Sequence, residues 1–128
     1  MVMTPGTYLR LRREASGLSV EDVAARIASD PRLGERDRVE WLRQIERDEA
    51  PTNVDVAVAL AHVFRFSPNI LGRLLSIAVG INGEETAPRL CRACGCSQHD
   101  ACFDGHATCA WATDDLCTHC QRESFHAA

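Results

Sequence analysis

No lysine occurs in the 128 residues, so all fourteen basic side chains are arginine. A guanidinium-only set suits planar contacts with phosphate or guanine, and a base-composition bias in the gene produces the same pattern. Aromatic residues are scarce at 5%, so a core must rest on Leu, Val, Ile and Ala. Long apolar runs are missing as well. The longest, near Val54–Phe66 and Leu74–Ile81, are too short or too interrupted to span a bilayer. The opening stretch MVMTPGTYLRLRRE has no apolar h-region, which predicts no secretory signal, a cytoplasmic location and no membrane contact. A basic excess is absent too. The net charge is −4, without the broad basic footprint usual for a nucleic-acid-binding domain. The balance is uneven, however: residues 1–76 carry eleven Arg against eleven acidic residues, and the remainder three Arg against seven. No paired-carboxylate, nucleophile–base or phosphate-loop pattern is present, so the expectation is that the chain is not an enzyme.

What the sequence has is cysteine, and all of it in one place. Seven cysteines lie between Cys91 and Cys120. In a reducing compartment, an odd set of this density points to metal rather than disulfides. Two Cys-x-x-Cys pairs, Cys91/Cys94 and Cys117/Cys120, bracket 22 intervening residues. Each pair lets two sulfurs reach one ion, and Gly95 suits the tight knuckle turn. Cys91, Cys94, Cys117 and Cys120 are therefore the expected ligands of a closed, structural zinc site. Cys96, Cys102 and Cys109 are three thiols, one ligand short of a second site. His106 or His99 would complete it, or a thiolate would be shared between two ions, or these cysteines would simply be small buried residues. The expected cofactor is thus zinc, one ion or two. Trp111 and Leu116, with Phe103 less central, are the expected packing residues of this segment, and His126 is expected in the tail.

Ahead of the cysteines the pattern is helical throughout. Thr4-Pro5 opens a first helix that Gly17 ends. Ser19 opens a second, with Val20, Val23, Ala24 and Ile27 on one face, running to Ser29-Asp30-Pro31. A third spans about Glu35 to Asp48, with Val39, Leu42 and Ile45 inward beside Trp41. Thr52 or Asn53 caps a fourth, Val54–Phe64, whose alternating Val and Ala predict deep burial. Ser67-Pro68 opens a fifth, to about Val79. Five helices and no strand are expected here. Gly80 to Pro88 loses the periodicity and reads as a linker.

The string YLRLRREASGLSVEDVAARI, followed by WLRQIERDEAPTNVDVAVALAHVFRFSP, resembles the helix-turn-helix domain of Cro and lambda-repressor type (XRE-like) regulators, over about residues 5–75. The positions that carry the likeness are Arg13-Glu14-Ala15, Gly17, Ser19, Ala24, Ile45-Glu46-Arg47 and Pro51. Two departures stand out: the interval between Ala24 and Glu46 is longer than the family norm, and Asp48 replaces the Gly that usually follows Glu-Arg. The resemblance implies that the third helix reads DNA. Counting back from Glu46 puts Arg38, Val39, Glu40 and Arg43 at the base-reading positions, where Arg would take guanine and Glu cytosine. Arg10, Arg12, Arg13 and Arg36 would be phosphate contacts, with Arg36 at the entry of the same helix. The pattern Cys-x-x-Cys-Gly-Cys…Asp-Leu-Cys-x-x-Cys is also similar to a short cysteine-rich motif of phage and prophage proteins.

The expectation is therefore a mainly α chain: a five-helix helix-turn-helix domain over 1–79, a linker over 80–88 and a small metal-stabilised cysteine-rich module over 89–128. Its expected function is that of a DNA-binding transcriptional regulator, phage or mobile-element encoded, with double-stranded DNA as partner and a homodimer as the binding unit. The C-terminal module would add a protein contact. The alternatives are a protein–protein adaptor that uses both modules and an iron–sulfur redox-sensing regulator.

Overall fold

The computed structural model describes residues 2–27, 34–97, 101–102 and 108–127, with the side chains of 123–127 left aside. It is mainly helical, with a small two-stranded sheet and the cysteine cluster near the C-terminal end. The helices are α1 (Pro5–Ala15), α2 (Val20–Arg26), α3 (Glu35–Glu46), α4 (Val54–Ala61), α5 (Pro68–Ala78) and α6 (Thr118–Ala127). A 3-10 turn, Glu84–Thr86, follows α5. The strands are β1 (Trp111–Thr113) and β2 (Leu116–Cys117).

Local chemistry explains most helix starts. Thr4 accepts from the Thr7 amide at 3.2 Å ahead of Pro5, satisfying a donor that the helix leaves without an internal partner. Ser19 and Asp22 form a reciprocal capping box, with bonds of 3.0 and 2.9 Å. Hydrogen bonds from the Ser19 backbone amide first, and then from its hydroxyl, hold the Asp22 carboxyl below its ordinary range. Asn53, rather than Thr52, caps α4, and Ser67 caps α5. The Ser67 amide in turn donates to the Tyr8 hydroxyl at 2.9 Å, tying the start of α5 to the buried face of α1.

Leu9, Val23, Leu42, Ile45, Leu60 and Leu71 form the centre of one core, sealed by Phe64 and Phe66. Leu90, one residue before the first cysteine, belongs to the same core. The expected linker is engaged as well: its 3-10 turn packs on α5. The expected deep burial of α4 is not found. Of its eight residues only Leu60 is buried, while Val54 and Val58 are 77% and 53% exposed. The helix also stops at Ala61 rather than Phe64, and the chain turns so that Phe64 and Phe66 point inward. A short helix lying on the core presents one stripe to it, and a Val/Ala-rich composition does not reveal which stripe.

The turn after α3 shows what the Gly-to-Asp departure does. Asp48 takes the left-handed conformation, at φ 62°, which short polar residues tolerate best after glycine. Its Oδ1 accepts from the Gly6 amide at 2.8 Å, so the residue that ends α3 also satisfies a free donor in the first turn of α1. Gly6 is required at that crossing: a Cβ there would lie 2.5 Å from the Ile45 carbonyl oxygen and 2.6 Å from that of Glu46. Gly6→Ala is expected to lower stability by about 2 kcal/mol through overpacking against backbone that cannot move aside. Thermal or urea unfolding checks this; an unchanged midpoint would contradict it.

In the C-terminal part, β1 and β2 pair antiparallel, Trp111 opposite Cys117 and Thr113 opposite Leu116, with an irregularity between the two pairs. Helix α6 begins directly after β2, so the second Cys-x-x-Cys straddles a strand-to-helix junction. His126, expected in the tail, falls within α6.

Candidate metal centre

The first knuckle is closed by its own backbone. The Gly95 amide donates to the Cys91 carbonyl at 2.8 Å, and the Cys91 amide to the Cys96 carbonyl at 3.0 Å. Gly95 adopts φ 75°, a region that favours glycine. A Cβ there would also crowd the Arg12 Cδ and Leu11 Cβ atoms of α1, at 3.1 and 3.4 Å. The knuckle therefore sits directly on α1. Arg12, 7% exposed, joins the two parts: Nη1 donates to the Cys94 carbonyl at 3.1 Å and Nε to the Arg65 carbonyl at 3.3 Å.

The second knuckle is positioned by the hairpin. The Arg92 amide donates to the Asp115 carbonyl at 2.8 Å, and the Arg92 and Asp115 side chains form an ion pair. Arg89 lies over the Trp111 ring, 4.3 Å from its centroid, and donates to the carbonyls of Thr113 and Asp114. Trp111 and Leu116 pack against the cysteines as expected; Phe103 lies outside the described residues. The Cys102 and Cys109 segments are linked by a 2.8 Å backbone bond.

All seven cysteines are free thiols, and their Sγ atoms gather. Cys94 and Cys117 are 3.9 Å apart, Cys96 and Cys109 3.7 Å, and Cys94 and Cys102 3.4 Å. Around a tetrahedral ion with metal–sulfur bonds near 2.3 Å, neighbouring sulfurs stand roughly 3.8 Å apart. The cluster thus has a geometry that could hold a metal ion. Two four-sulfur groups meet the spacing: Cys91, Cys94, Cys96 and Cys117, and Cys96, Cys102, Cys109 and Cys117. Three of the four ligands expected for the first site are brought together, with Cys96 where Cys120 was expected. The three expected for the second are brought together with Cys117 as the fourth. His106 and His99 lie outside the described residues.

Backbone amides support the sulfurs. Cys117 N–H donates to Cys91 Sγ at 3.5 Å, Cys120 N–H to Cys117 Sγ at 3.5 Å and Cys102 N–H to Cys109 Sγ at 3.3 Å. Thiols packed this closely cannot all ionise unaided. Hydrogen bonds from Cys94 and Cys96 hold Cys91 far below the usual thiol range, and the same bonds push Cys94 and Cys96 far above it. Burial raises Cys102 and Cys120. A divalent cation supplies the countercharge that ionisation of the set requires.

The residues expected to meet DNA have mixed placements. Arg38 turns toward α2 and donates from Nε to the Ala24 carbonyl at 2.8 Å, and Val39 is half-buried against the core. Glu40 and Arg43 are exposed but paired, Glu40 with Arg47 at 3.2 Å and Arg43 with Glu21 at 2.8 Å. Arg36 is exposed, with no partner among the described residues. Of the expected phosphate contacts, Arg10 pairs with Glu14, Arg12 is buried at the knuckle, and Arg13 makes a two-pronged contact with Glu46 at 2.7 and 2.9 Å. Arg12 as a bridge between helix and knuckle was not foreseeable, because nothing in the sequence pairs position 12 with position 94.

No protein-family model matches the chain, and no curated protein or solved structure matches it. The fold and the site define a class by themselves: a mainly helical protein with a cysteine cluster able to hold metal.

Proposed function

We propose that the chain is a DNA-binding transcriptional regulator in which α2 and α3 act as a helix-turn-helix and a zinc-held cysteine module braces α1. The observation that carries this reading is the Arg13–Glu46 contact. It joins Arg13-Glu14-Ala15 to Ile45-Glu46-Arg47, the two motifs on which the resemblance to Cro and lambda-repressor type domains rests, and it fixes α3 against α1. In such domains the recognition helix contacts base edges from its N-terminal residues. Arg36 is in the first turn of α3 and exposed. Arg43 and Glu40 share the outer face, and their surface ion pairs hold them only weakly, at about 0–1 kcal/mol, so both can exchange partners for a base or phosphate. Arg38 and Val39 then seat the helix rather than read sequence. A second copy of the chain belongs to this reading, because paired half-sites call for a dimer.

Zinc is the metal of this proposal. Sulfurs 3.4–3.9 Å apart suit thiolates around single ions, whereas an iron–sulfur cluster places inorganic sulfide between its thiolates and spreads them. Colour separates the two, since zinc protein is colourless and an iron–sulfur protein purified without air is brown.

The test is selection from a pool of random-sequence duplexes by the full chain over a salt series. Enrichment of a motif is expected, and Arg36→Ala/Arg43→Ala should lose it, with the salt slope falling by about 1 per lost phosphate contact. No enrichment by the intact chain sinks the DNA reading. An adaptor is the second reading, favoured by the exposed Val54 and Val58 of α4. One dominant protein partner in a pull-down, released by Val58→Glu, would support it.

A further inference from the structure

The two four-sulfur groups are not separate sites. They have Cys96 and Cys117 in common, and Cys94 of one group touches Cys102 of the other at 3.4 Å. Two independent tetrahedral sites need eight ligands, and the chain has seven cysteines. A single site would leave Cys102 and Cys109 at ligand spacing from Cys96 and Cys117 with no ion between them.

We infer that the cysteines form a binuclear, thiolate-bridged centre for two divalent thiophilic ions, with Cys96 and Cys117 shared. One ion is held by Cys91 and Cys94 and the other by Cys102 and Cys109, each completed by both bridges. This deepens the proposal of a zinc-held module and rests on it. The charge is consistent with the surroundings. Six thiolates and two divalent ions leave two negative charges, and the buried Arg12 guanidinium, bonded to the Cys94 carbonyl, lies beside them. The bridges are also deeply buried. Cys96 and Cys117 are each 1% exposed; the Cys96 carbonyl closes the first knuckle, and Cys117 Sγ accepts from the Cys120 amide. Cys120 is outside both groups: its backbone serves the bridge, and its thiol packs against those of Cys117 and Cys94. A histidine ligand is not needed.

The test uses the full chain, purified without air, with metal counted by elemental analysis and cadmium NMR on the cadmium-exchanged protein. Two ions per chain are expected, as two cadmium resonances coupled to each other through the shared sulfurs. Cys120→Ser and His106→Ala should each retain two ions. Cys117→Ser should lose both, because each ion drops to three thiolates. One ion per chain overturns the binuclear centre while leaving the zinc module standing, and no metal at all overturns both. Two ions with uncoupled cadmium resonances mean separate sites and overturn the bridges, and loss of one ion in Cys120→Ser or His106→Ala overturns the assignment of two shared thiolates. The cadmium spectrum of the unaltered chain decides the matter even if Cys117→Ser fails to fold.

Discussion

Stripping metal from the full chain with a strong chelator is expected to unfold residues 91–120 while α1–α5 keep their helical signal. The two parts have different sources of stability. Residues 5–78 bury a continuous core of Leu, Ile, Val and Phe side chains. Around the cysteines the buried set among the described residues consists of Cys91, Cys94, Cys96, Cys117 and Cys120, with Trp111 and Leu116 as larger neighbours. Two strands of three and two residues add little. In the proposed zinc-held module, metal binding would supply most of that part's folding free energy, which in zinc-finger peptides amounts to about 10–16 kcal/mol. Acid should act like chelator. Cys94, Cys96, Cys102 and Cys120 are raised above the ordinary thiol range when no cation is present, so protons compete strongly for the sulfurs. Metal-dependent stability is then present at neutral pH and lost as the pH falls. Backbone amide exchange with and without chelator, residue by residue, provides the measurement. Unchanged protection at Cys91, Cys109 and Cys117 after metal removal would contradict the prediction.

The features legible in the sequence are those set within one turn of chain. Thr4-Pro5, Ser19 with Asp22 and Ser67-Pro68 each mark a helix start because cap and amide are neighbours. The capacity of the cysteines to hold a metal was legible for the same reason, since Cys-x-x-Cys needs only a local turn. The partner of each knuckle was not. Spacing pointed to Cys91, Cys94, Cys117 and Cys120; β2 carries Cys117 into one group with Cys91 and Cys94, and the turn into α6 sets Cys120 beside Cys117. Cys96 enters because the Gly95 turn brings its sulfur back toward Cys91. The same limit applied to α3: its period showed an inner and an outer face, yet only the packing of α2 decides that Arg38 bonds to Ala24 rather than facing out. Asp48 combines both cases. The turn after Glu46 could be expected, whereas its carboxylate bond to Gly6, 42 positions away, could not.

Arg12→Ala is expected to cost about 3–4 kcal/mol, because it removes charge-assisted bonds to two carbonyls. Arg12 is the one described charged side chain in the buried set, and it reaches both the loop before α5 and the first knuckle. The loss should depend on metal. In the metal-bound chain the knuckle is rigid, so the Cys94 carbonyl stays in place without its donor and the negative centre loses its neighbouring cation. In the chelated chain the knuckle unfolds, the Cys94 carbonyl reaches water, and only the bond to the Arg65 carbonyl is still lost. The penalty should then fall to roughly half, following the one remaining bond. Denaturant midpoints for the original and Arg12→Ala chains, each with and without chelator, complete a cycle whose coupling term measures how strongly the cysteine module braces α1. A penalty of equal size in both states would mean that the module only rests on α1. A penalty that shrinks on chelation means that the module holds α1, the helix whose Arg13 orients α3, so that metal loss would loosen the proposed DNA-reading face without touching it.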